Sequence, residues 1–113
     1  MKLNKIFEIH AEICKTLANA KRLEILDALR GSEITVNGLV KKVGIRKANI
    51  SQHLAVLRIQ GVVIARRAGR NIYYKISNPK IIRACNLMRE VLMERIKRER
   101  RLWSKFEKTG DKG

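Results

Sequence analysis

The chain has 113 residues, 45% of them apolar, and carries 26 Lys plus Arg against 10 Asp plus Glu, a formal net charge of +16. That length holds one domain with one modest core, and the apolar share excludes wholesale disorder. The charge excess points to a polyanionic partner, nucleic acid or an anionic membrane surface, while apolar runs of only a few residues exclude a membrane-spanning helix, which needs ~20.

Glu8, His10 and Glu12 interrupt any apolar stretch near the start, so no secretory signal is read there and a cytoplasmic location is expected. Ile6, Ile9, Ile13 and Leu17 recur at helical spacing, with Phe7 and Cys14 one step around, which predicts an amphipathic first helix over about 4–16. Asn19 is the expected N-cap of a second helix whose apolar face is Leu23, Leu26 and Leu29 with Ile25, closed by Gly31 as the residue after its cap. Residues 33–36 suit a short strand.

A third helix is expected over about 37–43, turning inward Leu39, Val40 and Val43, with Gly44 supplying a tight turn. The fourth, 47–60, buries Ile50, Leu54 and Leu57 and ends at Gly61. At about 100° per residue, Ala48, Asn49, Gln52 and Ala55 then lie opposite that stripe. This outer face is small and polar, which suits close approach to base edges.

From 62 to 76 the pattern turns β-branched. Val62-Val63-Ile64, Arg66-Arg67, a turn at Ala68-Gly69-Arg70-Asn71, and Ile72-Tyr73-Tyr74-Lys75-Ile76 form a hairpin. Pro79 fits the first position of a last helix, striped by Ile81, Cys85, Met88, Leu92 and Ile96. The basic stretch 95–108, with Leu102, Trp103 and Phe106 interspersed, either extends that helix or forms a separate amphipathic turn. It is read as a solvated extension, an added phosphate contact or a clasp between copies. Residues 109–113 are expected to be frayed, leaving one domain over 1–108.

The fold class is therefore mainly α with a small β-hairpin wing, an α+β winged helix-turn-helix of about five helices and two to three short strands. A helix of this kind enters a major groove about 12 Å wide, and a basic hairpin beside it reaches the phosphates or the adjoining minor groove. Duplex DNA is the expected polyanion. The apolar faces of the first and last helices must be covered, either by each other or by a two-fold related copy. The second option is preferred, with Ile6, Ile9, Ile13, Cys85, Met88, Leu92 and Ile96 at a homodimer interface.

Three segments in this order, Leu17-Ala18-Asn19-Ala20-Lys21-Arg22-Leu23-Glu24-Ile25-Leu26, then Ser51-Gln52-His53-Leu54 with Leu57 and Gly61, then Arg66-Arg67-Ala68-Gly69-Arg70 leading to Tyr73-Tyr74, resemble the ArsR/SmtB winged-helix repressors. The similarity runs over about 17–76. It implies a dimer through the first and last helices and base reading by the fourth helix, at Lys47, Ala48, Asn49 and Gln52, with Ser51 and His53 nearer the backbone. The chemistry of the side chains agrees, since Gln and Asn pair bidentately with adenine N6 and N7 and Lys reaches guanine O6 and N7. Here the helix opens Arg46-Lys47-Ala48 where the family often has Ser-Gln-Ser, which removes a hydroxyl cap and adds two charges.

On the wing, Arg66, Arg67, Arg70 and Asn71 are read as phosphate or minor-groove contacts, the alternative being a solvated basic edge. His53, bordering the Leu54 stripe, suits a structural or phosphate-facing role, with pH sensing as the alternative. Many relatives sense metals. Where the family's third-helix metal box reads Glu-Leu-Cys-Val-Cys-Asp-Leu, this chain has Glu33-Ile34-Thr35-Val36-Asn37-Gly38-Leu39, and no histidine follows His53, so no metal or other cofactor is expected.

Cys14 and Cys85 are read as small buried hydrophobes, with a redox pair acting as a switch, or a structural disulfide, as alternatives. No nucleophile with a nearby base, phosphate loop or acidic pair is recognisable, so an enzyme is not expected. Three functions stay open in that order. They are a homodimeric sequence-specific repressor binding an inverted repeat, with a thiol-responsive version as a variant; a non-specific architectural DNA binder; and an RNA-associated or protein-bridging winged helix.

Overall fold

A computed structural model describes residues 3–110, with side chains over 3–107. Among these the order is α1 (Leu3–Leu17), α2 (Ala20–Ala28), β1 (Ile34–Thr35), α3 (Val36–Val43), α4 (Lys47–Ile59), β2 (Val63–Ala68), β3 (Asn71–Ile76) and α5 (Pro79–Gly110). The strands form one antiparallel sheet in the order β1-β3-β2. The helix–helix–sheet order is the winged helix-turn-helix the sequence predicts.

Caps set most of these boundaries. Asn19, in extended conformation, accepts from the Arg22 amide with its side chain, as expected of the α2 N-cap. Thr35 does the same for α3 through the Gly38 amide, so this helix starts one residue earlier than its apolar spacing suggests and β1 is cut to two residues. Gly31 is displaced too, because Leu29 is the α2 C-cap and the glycine follows two residues later. At the end of α4 the Gly61 amide donates to the Arg58 carbonyl at 3.0 Å and the Val62 amide to the Leu57 carbonyl at 2.9 Å. That is a Schellman closure, and it requires the left-handed φ of +73° that glycine tolerates.

The core is contributed by the three helices of the reading head and by the root of the wing. Ile25, Leu26 and Leu29 meet Leu39, then Ile50, Leu54 and Leu57, then Val62 and Val63, all buried. Leu57 and Val62 are also the apolar pair that accompanies the Schellman turn, so local closure and core packing reinforce each other. The predicted α4 stripe is the one buried.

The chain divides into two compact units, Met1–Ile82 and Arg83–Gly113. Asn78 accepts from the Lys80 amide at 2.9 Å and opens α5, with Pro79 as its first residue. From Arg83 onward the second unit is this helix alone, and the basic stretch after Ile96 continues it rather than forming a separate turn. With 32 residues α5 is about 48 Å long at 1.5 Å per residue. It runs two residues into the stretch 109–113 expected to be frayed, and 111–113 lie outside the described residues.

Candidate nucleic-acid interface

α4 presents its free face as its sequence dictates. Burying Ile50, Leu54 and Leu57 decides which face of the helix turns outward, and Arg46, Lys47, Ala48, Asn49, Ser51, Gln52 and Ala55 are all exposed. No side chain caps the helix at Arg46, in line with the missing hydroxyl there. An uncapped helix start leaves amide N–H groups and the positive end of the dipole available to an anion.

His53 departs from this exposed set. It is half-buried, and its Nδ1 accepts from Arg22 Nε at 3.3 Å, which leaves Nε2 as the protonated ring nitrogen of the neutral form. Burial, and then the Arg22 charge, hold its pKa below the usual 6.5. Arg22 also donates through Nη1 to the Thr16 carbonyl at 3.0 Å. Sequence reading places His53 on the border of the stripe but gives no sign of this partner, 31 residues away.

The wing is a two-residue hairpin, with Ala68 opposite Asn71 and Arg66 opposite Tyr73. Gly69 at φ +62° is the first central residue and Arg70 is the second, with φ negative, the sign pattern of a type II′ turn. The turn exposes Arg70 and Asn71, and Arg67 is exposed on β2.

Arg66 is engaged within the protein. Its Nη2 and Nε donate to Glu33 Oε2 at 2.7 and 3.0 Å, and its guanidinium lies 5.1 Å from the centre of the Tyr73 ring. The Arg66 hydrogen bonds lead the causes that hold the Glu33 carboxyl below its usual range, and Glu33 in turn raises Arg66. Of the cations expected on the wing, Arg67 and Arg70 therefore stand without an ion-pair partner among the described residues, whereas Arg66 ties β2 to the segment before β1. Glu33 was missed as a functional residue because its partner is 33 positions away.

The remaining expected residues are placed as follows. Ile6, Ile9, Met88, Leu92 and Ile96 are exposed, and Ile13 and Cys85 are half-buried. Cys14 is exposed, not buried as its apolar-face reading suggests, and both thiols are free. Among the described residues no group of three or more His, Cys, Asp or Glu could hold a metal ion, and no helix is long and apolar enough to cross a membrane.

Residues 19–65 match the family model described as bacterial regulatory protein, arsR family. The nodulation protein NolR of Rhizobium meliloti is 38% identical over 84 residues, covering 74% of this chain and 69% of that protein. An HTH-type transcriptional regulator of Mycobacterium tuberculosis, Rv0081, is 39% identical over 93 residues, covering 81% and 82%. Its crystal structure superposes with a TM-score of 0.74 over 81% of this chain and 93% of that one, at 38% identity. The homodimeric winged helix-turn-helix DNA-binding domain of a possible ArsR-family regulator from Mycobacterium bovis matches with a TM-score of 0.76 and 31% identity, over 86% and 92%.

Proposed function

The chain belongs to the ArsR family of bacterial regulatory proteins, and on that premise we propose that it is a cytoplasmic, homodimeric, sequence-specific transcriptional repressor. The carrying observation is the exposed face of α4, where Lys47, Asn49 and Gln52 stand clear of the buried stripe. Asn49 and Gln52 offer paired donors and acceptors to adenine edges, and Lys47 offers donors to guanine. Arg46, Arg67, Arg70 and Asn71 supply phosphate and minor-groove contacts, with Ser51 at the edge of the same face.

Two copies are needed because one reading helix covers only a half-site. α1 and α5 each leave an apolar face exposed in the single chain, with Ile6 at 46%, Phe7 at 67%, Leu92 at 47% and Phe106 at 70% of their possible accessible area. A two-fold related copy covers such faces. The signature of this arrangement is a footprint with two protected half-sites about one helical turn, ~34–36 Å, apart on an inverted repeat. Selection from random duplex DNA followed by footprinting tests it. Uniform protection of any duplex, with affinity set by salt alone, identifies an architectural binder instead.

A further inference from the structure

We infer that Arg22 is a positioning residue for DNA reading, which sets the roll of α4 through His53 and ties it to the end of α1. This rests on the reading of α4 as the base-contacting helix.

The geometry is specific. Arg22 is the third residue of α2, and its own amide is spent on the Asn19 cap. Its guanidinium then spans two other elements. One nitrogen donates to the carbonyl of Thr16 in the last turn of α1, at 3.0 Å, and Nε donates to His53 Nδ1 on α4, at 3.3 Å. The carbonyls of a final helical turn lack partners within the helix, and a cation there also meets the negative end of the dipole. Thr16 is buried, and Arg22 and His53 are half-buried, so the three groups form an internal joint rather than a solvated surface contact.

α4 needs such a joint. Its buried residues are one stripe of three, which sets the inward face, and its end is closed by the Gly61 turn. No side chain caps its start, and such a stripe leaves a roll of several degrees there unfixed. His53 lies about 60° to the side of Ile50, and Asn49, one turn earlier, is on the same flank. A roll of about 10° moves a side-chain amide ~6 Å from the helix axis by about 1 Å, beyond the roughly 0.5 Å tolerance of a binding constellation. Pinning His53 therefore fixes Asn49, and with it Gln52. Because the pin's other end is the end of α1, which carries one of the proposed dimer faces, the same residue relates each reading helix to its dimer helix.

A merely stabilising role would act differently. Loss of folded protein lowers affinity for every DNA by one factor, whereas a misaligned α4 loses base contacts and keeps phosphate contacts. The experiment is Arg22→Lys, which keeps the charge and loses the planar fork. It is measured against wild type on the duplex that selection from random DNA prefers and on a shuffled duplex of equal length. The ratio of the two affinities should fall about ten- to a hundredfold, the discrimination of a good bidentate contact, with affinity for the shuffled duplex unchanged.

Loss on both duplexes by the same factor, or an unchanged ratio, overturns the inference. Should the variant fold poorly, nitrogen NMR of wild-type His53 decides. The structure requires a neutral ring protonated at Nε2 with Nδ1 accepting, and averaging between tautomers overturns the joint. If wild type itself shows no preferred duplex, the repressor reading fails instead, whatever the His53 spectrum shows.

Discussion

At the scale of single residues, the two parts of the interface should separate by how their loss is felt. Gln52 is exposed on the face of α4 away from the core and Arg67 on the wing. Gln52→Ala should cost about 1–3 kcal/mol on the preferred duplex and blur one or two base positions. Arg67→Ala should weaken binding to every sequence and lower the slope of log affinity against log salt by about one. Binding titrations over a range of salt, on preferred and shuffled duplexes, separate the two. Equal losses on both duplexes for Gln52→Ala would remove it from base reading.

His53 gives a pH dependence with a defined sign. Burial and the Arg22 charge lower its pKa in the folded state, so between that value and 6.5 the unfolded chain binds more protons than the folded one. Stability then rises with pH across that window and, in the other direction, is lost as pH falls from about 6.5 to the lowered folded value. Urea unfolding between pH 5 and 7.5 should show this loss in wild type and a flatter profile in His53→Asn. The opposite slope would mean that the ring is stabilised as the cation. Glu33 acts lower in the scale, since its lowered carboxyl pKa keeps the Arg66 tie intact until the pH falls through the acid range.

At the scale of elements, the turn from α4 into the wing is the sharpest test of local chemistry. Gly61 sits at φ +73°, and a Cβ placed there would meet nothing within 4 Å. Gly61→Ala therefore has no steric clash to relieve and pays only for the left-handed backbone, about 1–2 kcal/mol. Denaturant midpoints measure it, and a neutral result would mean the Schellman closure has opened without loss.

This turn was legible in the sequence because its determinants are adjacent: an apolar helical stripe, a glycine, then β-branched residues. The Asn19 cap, the Gly69 turn and the buried α4 stripe were legible for the same reason. What escaped was set by distant partners. The length of β1 depends on its pairing with β3, Ile34 against Tyr74 and Thr35 against Tyr73, and on Thr35 being taken as a cap. The Arg66–Glu33 tie and the Arg22–His53 joint leave no periodic trace, since each links residues more than 30 positions apart. The exposed face of α4 was predictable because burial of one side dictates the other. The engagement of Arg66 was not, because a basic wing residue looks the same whether it faces a phosphate or a carboxylate of its own chain.

At the scale of the whole molecule, the proposed dimer is tested most directly on α5. Met88, Leu92, Ile96, Trp103 and Phe106 fall within an arc of about 80° when projected at 100° per residue, and all five are exposed in the single chain. Only Glu99 falls inside that arc, and it is paired at 3.1 Å with Arg95, which lies about 20° beyond the arc's edge; the pairing mutes the charge Glu99 would carry into an interface. Trp103 and Phe106 stand edge to face with ring centres 6.0 Å apart, presenting one aromatic surface. An exposed apolar stripe of this length is the kind of face that the partner copy proposed above would cover.

Leu92→Asp should therefore leave the fold of each chain intact, because Leu92 supports no core within it, and should abolish the dimer by burying an unpaired charge. Sedimentation should give a monomer with an unchanged helical spectrum, and the two-half-site footprint should disappear. Trp103, the single tryptophan, reports on how far the contact extends. Its emission should shift to shorter wavelength as wild-type protein is concentrated through dimerisation and stay that of a water-exposed indole in Leu92→Asp. Wild-type emission that does not move while the mass doubles would end the interface before the last turns of α5, and a Leu92→Asp dimer would place it on another face altogether.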